Sequence, residues 1–266
     1  MLFRSVEFAN ENKTIVFDLN GHTVATADSA FIKCSTVLDI VDNGATKGKI
    51  TSSALNVICK VGTGTINLKG VVIECTKAAS PNFYGSAVVY LNNSSSTVNI
   101  SDGTKIIATG QVPGVSNRAG TVTITDSEVS SGTVSAGNPA ICNGGTSAST
   151  TINSGSFFTS ATSRSVVVNA AGLASATKAG NIVINGGYFY ASDAAIMLKG
   201  NYANNDHMAH IFVNGGYFNK TTVWTSSSKQ YPPTYGDGLS EHTVDPAETH
   251  LHESTGQTYQ YGFQVK

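Results

Sequence analysis

The side chains of this sequence that are capable of chemistry fall into three groups. Asp18 and Asp39 occupy like places in the phrases "IVFDLNG" and "VLDIVDNG", and Asn67 and Asn99 occupy like places in two later phrases. Carboxylates and amides grouped in this way suit a hard cation, so Asp18 and Asp39 are the candidate ligands of a Ca²⁺. The phrase "ETHLHE" sets His250 and His252 on one side of a strand with Glu248 and Glu253 near, and "NDHMAH" offers Asp206, His207 and His210. Two histidines are half of a zinc site, and no third ligand follows at a metal-binding spacing. Tyr188 and Tyr217 recur within "NGGYF", while Tyr190, Tyr202, Trp224, Tyr231 and Tyr235 gather in the same C-terminal third. A flat ring beside amides and carboxylates is a surface on which the apolar face of a sugar stacks. Tyr188, Tyr217, Tyr190 and Trp224 are therefore the candidate carbohydrate contacts. Each group has a plainer alternative: a solvated polar face, exposed loop histidines, and an aromatic ladder that packs under a terminal cap.

Catalytic partners for these groups are scarce. The chain has three arginines, Arg4, Arg118 and Arg164, and none falls on the segments that carry Asp18 and Asp39. The nearest lysines read as turn residues, so an Arg or Lys base beside a bound Ca²⁺ is not expected on those segments. The "GTG" at Gly62 to Gly64 reads as a turn between strands rather than a phosphate cradle, and no nucleophile elbow or dinucleotide fingerprint occurs. Cys34, Cys59, Cys75 and Cys142 show no CxxC spacing, and each sits in an apolar run, as a buried thiol used as a small hydrophobe does.

Composition narrows the classes further. Of the 266 residues only 12% are charged, and the formal net charge is −1. A chain so weakly charged sets up no basic field for nucleic acid or for an anionic membrane. No apolar run reaches the roughly 18 residues of a membrane span, and "MLFRSVEFAN" has neither the apolar region nor the cleavage site of a signal peptide. The strand pattern is already running at Ile15, so the start of the chain reads as the inside of a longer protein.

The elements that must position these residues are repeats. Before each turn stands a run that ends in Leu19, Ile40, Leu68, Ile100, Ile124, Ile152, Ile184 or Val213, at spacings of 21 to 32 residues. Two residues earlier stand Phe17, Leu38, Ile66, Val98, Val122, Thr150, Ile182 and Ile211, with a polar residue between in the first six. That alternation puts one face inward and one outward. A second strand follows each turn and supplies a second core column: Val24, Ile50, Ile73, Ile106, Val129, Phe157, Phe189 and Phe218. A third is visible in "FIKCS", "NVICKV", "PAICN" and "SVVVN". Three short strands per repeat, a variable period and no amphipathic helix predict a parallel β-helix of about eight coils. Stacked coils set like side chains about 4.8 Å apart, so a repeated phrase is a repeated environment. Asn20, Asn153, Asn185 and Asn214 should form an amide ladder, and Gly186 and Gly215 should take positive φ at a corner.

The phrases "IVFDLNGHTV", "LDIVDNGATKGKI" and "IVINGGYF" resemble coils of right-handed parallel β-helix proteins of the pectate-lyase-like superfamily, and more narrowly the repeat domains of large bacterial surface proteins. The resemblance covers Thr14 to about Lys220 and implies the handedness of the coil. The hydrolases of that superfamily carry NTD, DD and GHG motifs, and none of these strings occurs here.

Together these readings predict an all-β chain: a right-handed β-helix over residues 1–220 and a loop-and-hairpin cap over 221–266, with "ESTGQ" at the hairpin tip. The expected function is a non-catalytic stalk or adhesin segment of an extracellular or cell-surface protein, monomeric, with a neutral or weakly acidic glycan as its guest. A polysaccharide lyase or glycoside hydrolase and a trimeric phage-type fibre segment are the alternatives. No cofactor is expected beyond the Ca²⁺ that Asp18 and Asp39 offer, and neither nucleic acid nor membrane insertion is expected.

Overall fold

The computed structural model of the chain describes residues 6–8, 13–27, 29, 32–60, 62–78, 86–132, 138–159, 166–170, 180–192, 195–199, 210–220, 223–225 and 233–266. Among them every regular element is a strand. Three sheets wrap one core, and successive strands move from sheet to sheet, which makes the fold a parallel β-helix. The first sheet runs from Thr14–Asp18 through Val37–Val41, Gly64–Lys69, Ser96–Ser101, Gly120–Ile124, Ala148–Ile152, Asn181–Ile184 and Ile211–Val213 to Thr234–Tyr235. The second begins Val24–Thr26, Lys49–Ser52, Val72–Cys75 and continues through Lys105–Ala108, Ser127–Ser131, Gly155–Thr159 and Tyr188–Tyr190 to Gly216–Phe218. The third runs from Val6–Phe8 and Ile32–Cys34 up to Ile196–Lys199 and Val223–Thr225.

Alternation along the strands decides what is inside. In Ser96–Ser101 buried and half-buried residues alternate without a break. The second core column stacks as its spacing predicts: Val24 pairs with Ile50, Ile50 with Ile73, and so on through Ile106, Val129, Phe157 and Phe189 to Phe218. Its three phenylalanines have no exposed surface and stack with ring centroids 4.9 and 5.0 Å apart. Burial of each ring is worth about 1.5–3 kcal/mol, with a further gain of about 0.5–1.5 from stacking.

The first repeat departs from the expected alignment. Phe17, not Leu19, pairs with Ile40, so Val16 lies beside Asp39 and Asp18 beside Val41. The turns set this register. Gly21 and Gly44 lie so close that a Cβ on Gly44 would meet the Gly21 nitrogen at 2.3 Å, which forces the two "NG" pairs into step. The amide ladder runs through Asn153, Asn185 and Asn214 at 2.9 Å a step and continues from Asn153 to the Thr125 hydroxyl at 3.1 Å, without Asn20. Positive φ falls one residue later than expected, at Gly187 (115°) and Gly216 (122°) rather than at Gly186 and Gly215. Gly186 and Gly215 serve close approach instead: a Cβ there would meet the carbonyl oxygens of Asn153 and Asn185 at 3.0 and 2.6 Å.

Inside the corners, polar side chains meet carbonyls that the strand ladders leave over. Lys60 is fully buried and donates to the carbonyls of Cys34 and Thr63, and burial lowers its pKa. All four cysteines are buried thiols outside any disulfide.

The C-terminal segment is a long hairpin, Glu241–His252 and Gln257–Val265, with its tip at Glu253 to Gly256. Its second strand pairs antiparallel with Gly216–Phe218 and so extends the second sheet. The rest of the hairpin turns back along the outside of that sheet, a placement that a cap over the last coil does not require. Its register breaks between Thr243 and Glu248.

Candidate functional site

Two outward columns flank the buried one on the second sheet. The nearer reads Lys105, Glu128, Ser156, Tyr188 and Tyr217, each paired with the next. The farther includes Ser130, Phe158 and Tyr190. Period-2 alternation in the hairpin sends His250 and His252 from one strand, and Tyr259 and Tyr261 from the other, toward these columns, while Leu251 points away with 48% of its surface exposed.

Contact follows rank by rank. Lys105 reaches the tip in an ion pair with Glu253 at 2.6 Å. The Glu128 carboxylate accepts the backbone N–H groups of Glu253 and Ser254 at 2.9 and 2.8 Å, and is itself buried. Ser156 Oγ lies 2.5 Å from His250 Nε2. The His250 ring stacks on Tyr188 at 3.9 Å and 4°, and Tyr217 stacks on Tyr188 at 5.2 Å and 10°. Tyr190 stacks on Phe158 at 5.3 Å and meets Tyr259 at 4.2 Å. His252 and Tyr261 are fully buried, with His252 Nε2 against the Tyr261 hydroxyl.

Burial sets the electrostatics. It pushes the Tyr261 hydroxyl far up and lowers His252 to about 4, with the neighbouring His250 adding to the second effect. His250 is lowered by burial too, against the pull of Glu128, Glu248 and Glu253. Glu253 is held low by the hydrogen bond from Lys105.

Between hairpin and sheet lies a cavity of about 390 Å³. It is open to solvent: one wall follows the turns and strand starts of four successive coils, from Gly103 past Asp126 and Ser154 to Gly187 and Tyr188, and the hairpin residues His250, Leu251 and Glu253 line the other. Asp126 is exposed on the first wall and bonded to the Ser154 hydroxyl at 2.6 Å. The acidic and nucleophilic groups are already engaged. Both oxygens of Glu128 hold the tip, Glu253 holds Lys105, and among the described residues no carboxylate is hydrogen-bonded to His250 to orient it as a base toward Ser156.

The other sequence candidates lie elsewhere. Tyr188, Tyr217 and Tyr190 do share one face, but Tyr188 has a ring on each of its flat sides. Trp224 belongs to a strand of the third sheet, and its side chain lies outside the described residues, as do Asp206, His207, Tyr202 and Tyr231. Tyr235 is part of the first sheet and packs on the core. His210 bonds the Asn181 side chain at 3.0 Å.

Asp18 and Asp39 are not stacked. Asp18 ties the first turn together, accepting from the Asn43 side chain at 2.9 Å, the Asn43 backbone at 3.1 Å and the Asn20 backbone at 2.9 Å, which lowers its pKa. Asp39 accepts from Asn67 at 2.6 Å and Lys69 at 2.8 Å; burial opposes its ionisation, and these bonds outweigh the opposition. Among the described residues no three His, Cys, Asp or Glu side chains are grouped to hold a metal ion.

Glu128 and Ser156 were missed in the sequence although they stand in the tyrosine column. Their signal was the column itself: the residue before each core position of the second strand. Compared with known proteins, the chain matches no family model, no curated protein and no solved structure.

Proposed function

We propose that this chain is a non-catalytic β-helix stalk or adhesin segment of an extracellular or cell-surface protein, and that it holds a glycan in the cleft under its C-terminal hairpin. The cleft carries the reading. It is of a size that suits a small ligand, it offers the Asp126 carboxylate and the Ser154 hydroxyl to sugar hydroxyls, and Tyr188 lines it. Its lining has Asp126, Glu128 and Glu253 against Lys105, so a neutral or amino-bearing sugar fits it better than an acidic one. Engagement of every carboxylate and of Ser156 in structural bonds favours holding over cleaving.

A glycan array run on the intact chain tests this, with Asp126→Ala and a Tyr188→Ala, Tyr217→Ala double variant beside it. The expected result is weak binding of neutral or amino sugars that both variants lose. Equal binding by the variants, or none by the parent chain, would leave a spacer without a ligand, and release of new reducing ends would make it an enzyme.

A further inference from the structure

The hairpin is joined to the β-helix through its antiparallel pairing with Gly216–Phe218, and beyond that pairing it rests on the outer columns through side chains. Two of those side chains are histidines that lie 5.6 Å apart between the two layers. We infer that the hairpin is a proton-released strap: docked along the cleft at neutral pH, it lets go in mild acid when the buried imidazole of His252 takes up a proton.

The geometry around His252 explains why it is the trigger. Its ring is packed between Phe158 of the sheet, at 5.6 Å, and Tyr259 of the hairpin, at 5.3 Å. Nε2 is engaged with the Tyr261 hydroxyl, and Nδ1 is buried with no hydrogen-bond partner. An imidazolium donates from both nitrogens, and here the second N–H would meet no acceptor. Protonation therefore costs the desolvation of a charge and one unmade hydrogen bond.

The titratable and charged groups packed around His252 and the tip fall into two sets, with Glu241, His242 and Asp245 toward the start of the hairpin's first strand. From the sheet come Glu128, Tyr188, Tyr190 and Lys105; the hairpin itself carries His250, Glu248, Glu253, Tyr259 and Tyr261. Tyr188, Tyr259 and Tyr261 stay neutral throughout, since burial raises them above their ordinary value. Glu253 is held low by Lys105, so the ion pair at the tip is not itself the group that responds to mild acid. His250 shares the direction of His252: burial outweighs the pull of Glu128, Glu248 and Glu253, so its protonation adds to the same response.

The sign follows from linkage. In the closed strap His252 titrates at about 4, against 6.5 for an unburied imidazole. The open form therefore binds the proton that the closed form refuses. Closure is fully favoured above that ordinary value and is lost as the pH falls from there toward the folded value, with opening favoured up to about tenfold per pH unit. At pH 5 this amounts to roughly a thirtyfold rise in the open population relative to pH 7.5. If the glycan reading of the cleft holds, the wall lined by His250, Leu251 and Glu253 leaves with the strap, and the guest captured at neutral pH is released in acid.

Amide hydrogen exchange on the intact chain at pH 7.5 and pH 5, corrected for intrinsic exchange chemistry, reads the strap without any ligand. The expected result is about thirtyfold more opening at Glu253 and Ser254, whose amides bond Glu128, at pH 5, with the coil amides of Phe157 and Phe189 unchanged, and a clearly smaller pH effect in His252→Gln. Should that variant fail to fold, Glu128→Gln should raise hairpin exchange at both pH values and keep the pH slope. Equal exchange at the two pH values, or an undiminished slope in His252→Gln, overturns the strap. Retention of a neutral oligosaccharide on the immobilised chain at the same two pH values is read separately. No retention at pH 7.5 sinks the glycan reading and leaves the strap standing, whereas equal retention with the strap shown open overturns the link between them.

Discussion

Two columns of side chains run side by side on the second sheet, one inside the coil and one outside, and they are built on opposite rules. The inner column, Val24 to Phe218, is apolar at every rank, because every rank meets the same core. The outer column changes at almost every rank, from Lys105 and Glu128 to Ser156 and the two tyrosines, because each rank meets a different residue of a hairpin far along the chain. Stacking of coils makes the first column; docking of one segment selects the second. The interior is thus a property of the repeat, and the cleft is a property of this chain.

The sharpest way to break that comparison is to truncate neighbours on one strand. Phe189→Ala should destabilise the chain by about 3–5 kcal/mol, since it empties the middle of a stack with no exposed surface. Tyr188→Ala should cost about 1–2 kcal/mol, because its ring loses two stacked neighbours at a half-buried site. Urea unfolding of both variants measures the difference. Equal costs would show that the outer column belongs to the core.

The inner column was legible in the sequence for a physical reason: each of its ranks repeats one environment, so the pattern is redundant over many coils. Register in the first repeat was not. There the similar "DL" and "DI" invite alignment, but the backbone contact of Gly21 with Gly44 decides it, and the "NG" pairs were the better guide. The same holds for the glycine pairs of the later turns. Both glycines are demanded, one by close approach and one by φ, and a dipeptide does not reveal which is which. Gly187→Ala should therefore cost about 1–3 kcal/mol through its φ of 115°. Gly186→Ala, which meets a single carbonyl at 3.0 Å, should cost less by the same measurement.

The docked hairpin was the least legible part. Its existence and its tip are written in "ETHLHESTGQTYQYGF", but its side-chain partners on the sheet lie far earlier, from 62 residues (Tyr188 for His250) to 148 (Lys105 for Glu253), and no local pattern carries that information. Glu128 is the most informative place to test it. Glu128→Ala removes the acceptor of two tip N–H groups and should weaken the strap by about 1–3 kcal/mol. Because the groups it frees can reach water once the tip lifts, the loss should be local: faster proteolysis near Gly256, with the urea midpoint of the coil unchanged. A fall in that midpoint would mean that the hairpin and the coil unfold as one unit, and the distinction between repeat and docked segment would go.

The smallest effect is expected on the other outer face, at Asp39, where a divalent cation would have to act. Two carboxylates stacked a strand apart would repel and call for a cation, but the register places Val16 and Asn67 on either side of Asp39. Its charge is already met by Lys69 and its second oxygen by Asn67, and the Lys69 side chain is 40% exposed. An ion pair so open to water contributes about 0–1 kcal/mol, and loss of the carboxylate should cost no more than that. Asp39→Asn should therefore shift the melting temperature slightly, the shift should shrink at high salt, and excess chelator should leave both proteins unchanged. A chelator-sensitive melting temperature that Asp39→Asn abolishes would restore the cation at this face. It would also show that the first sheet, like the second, carries a site specific to this chain.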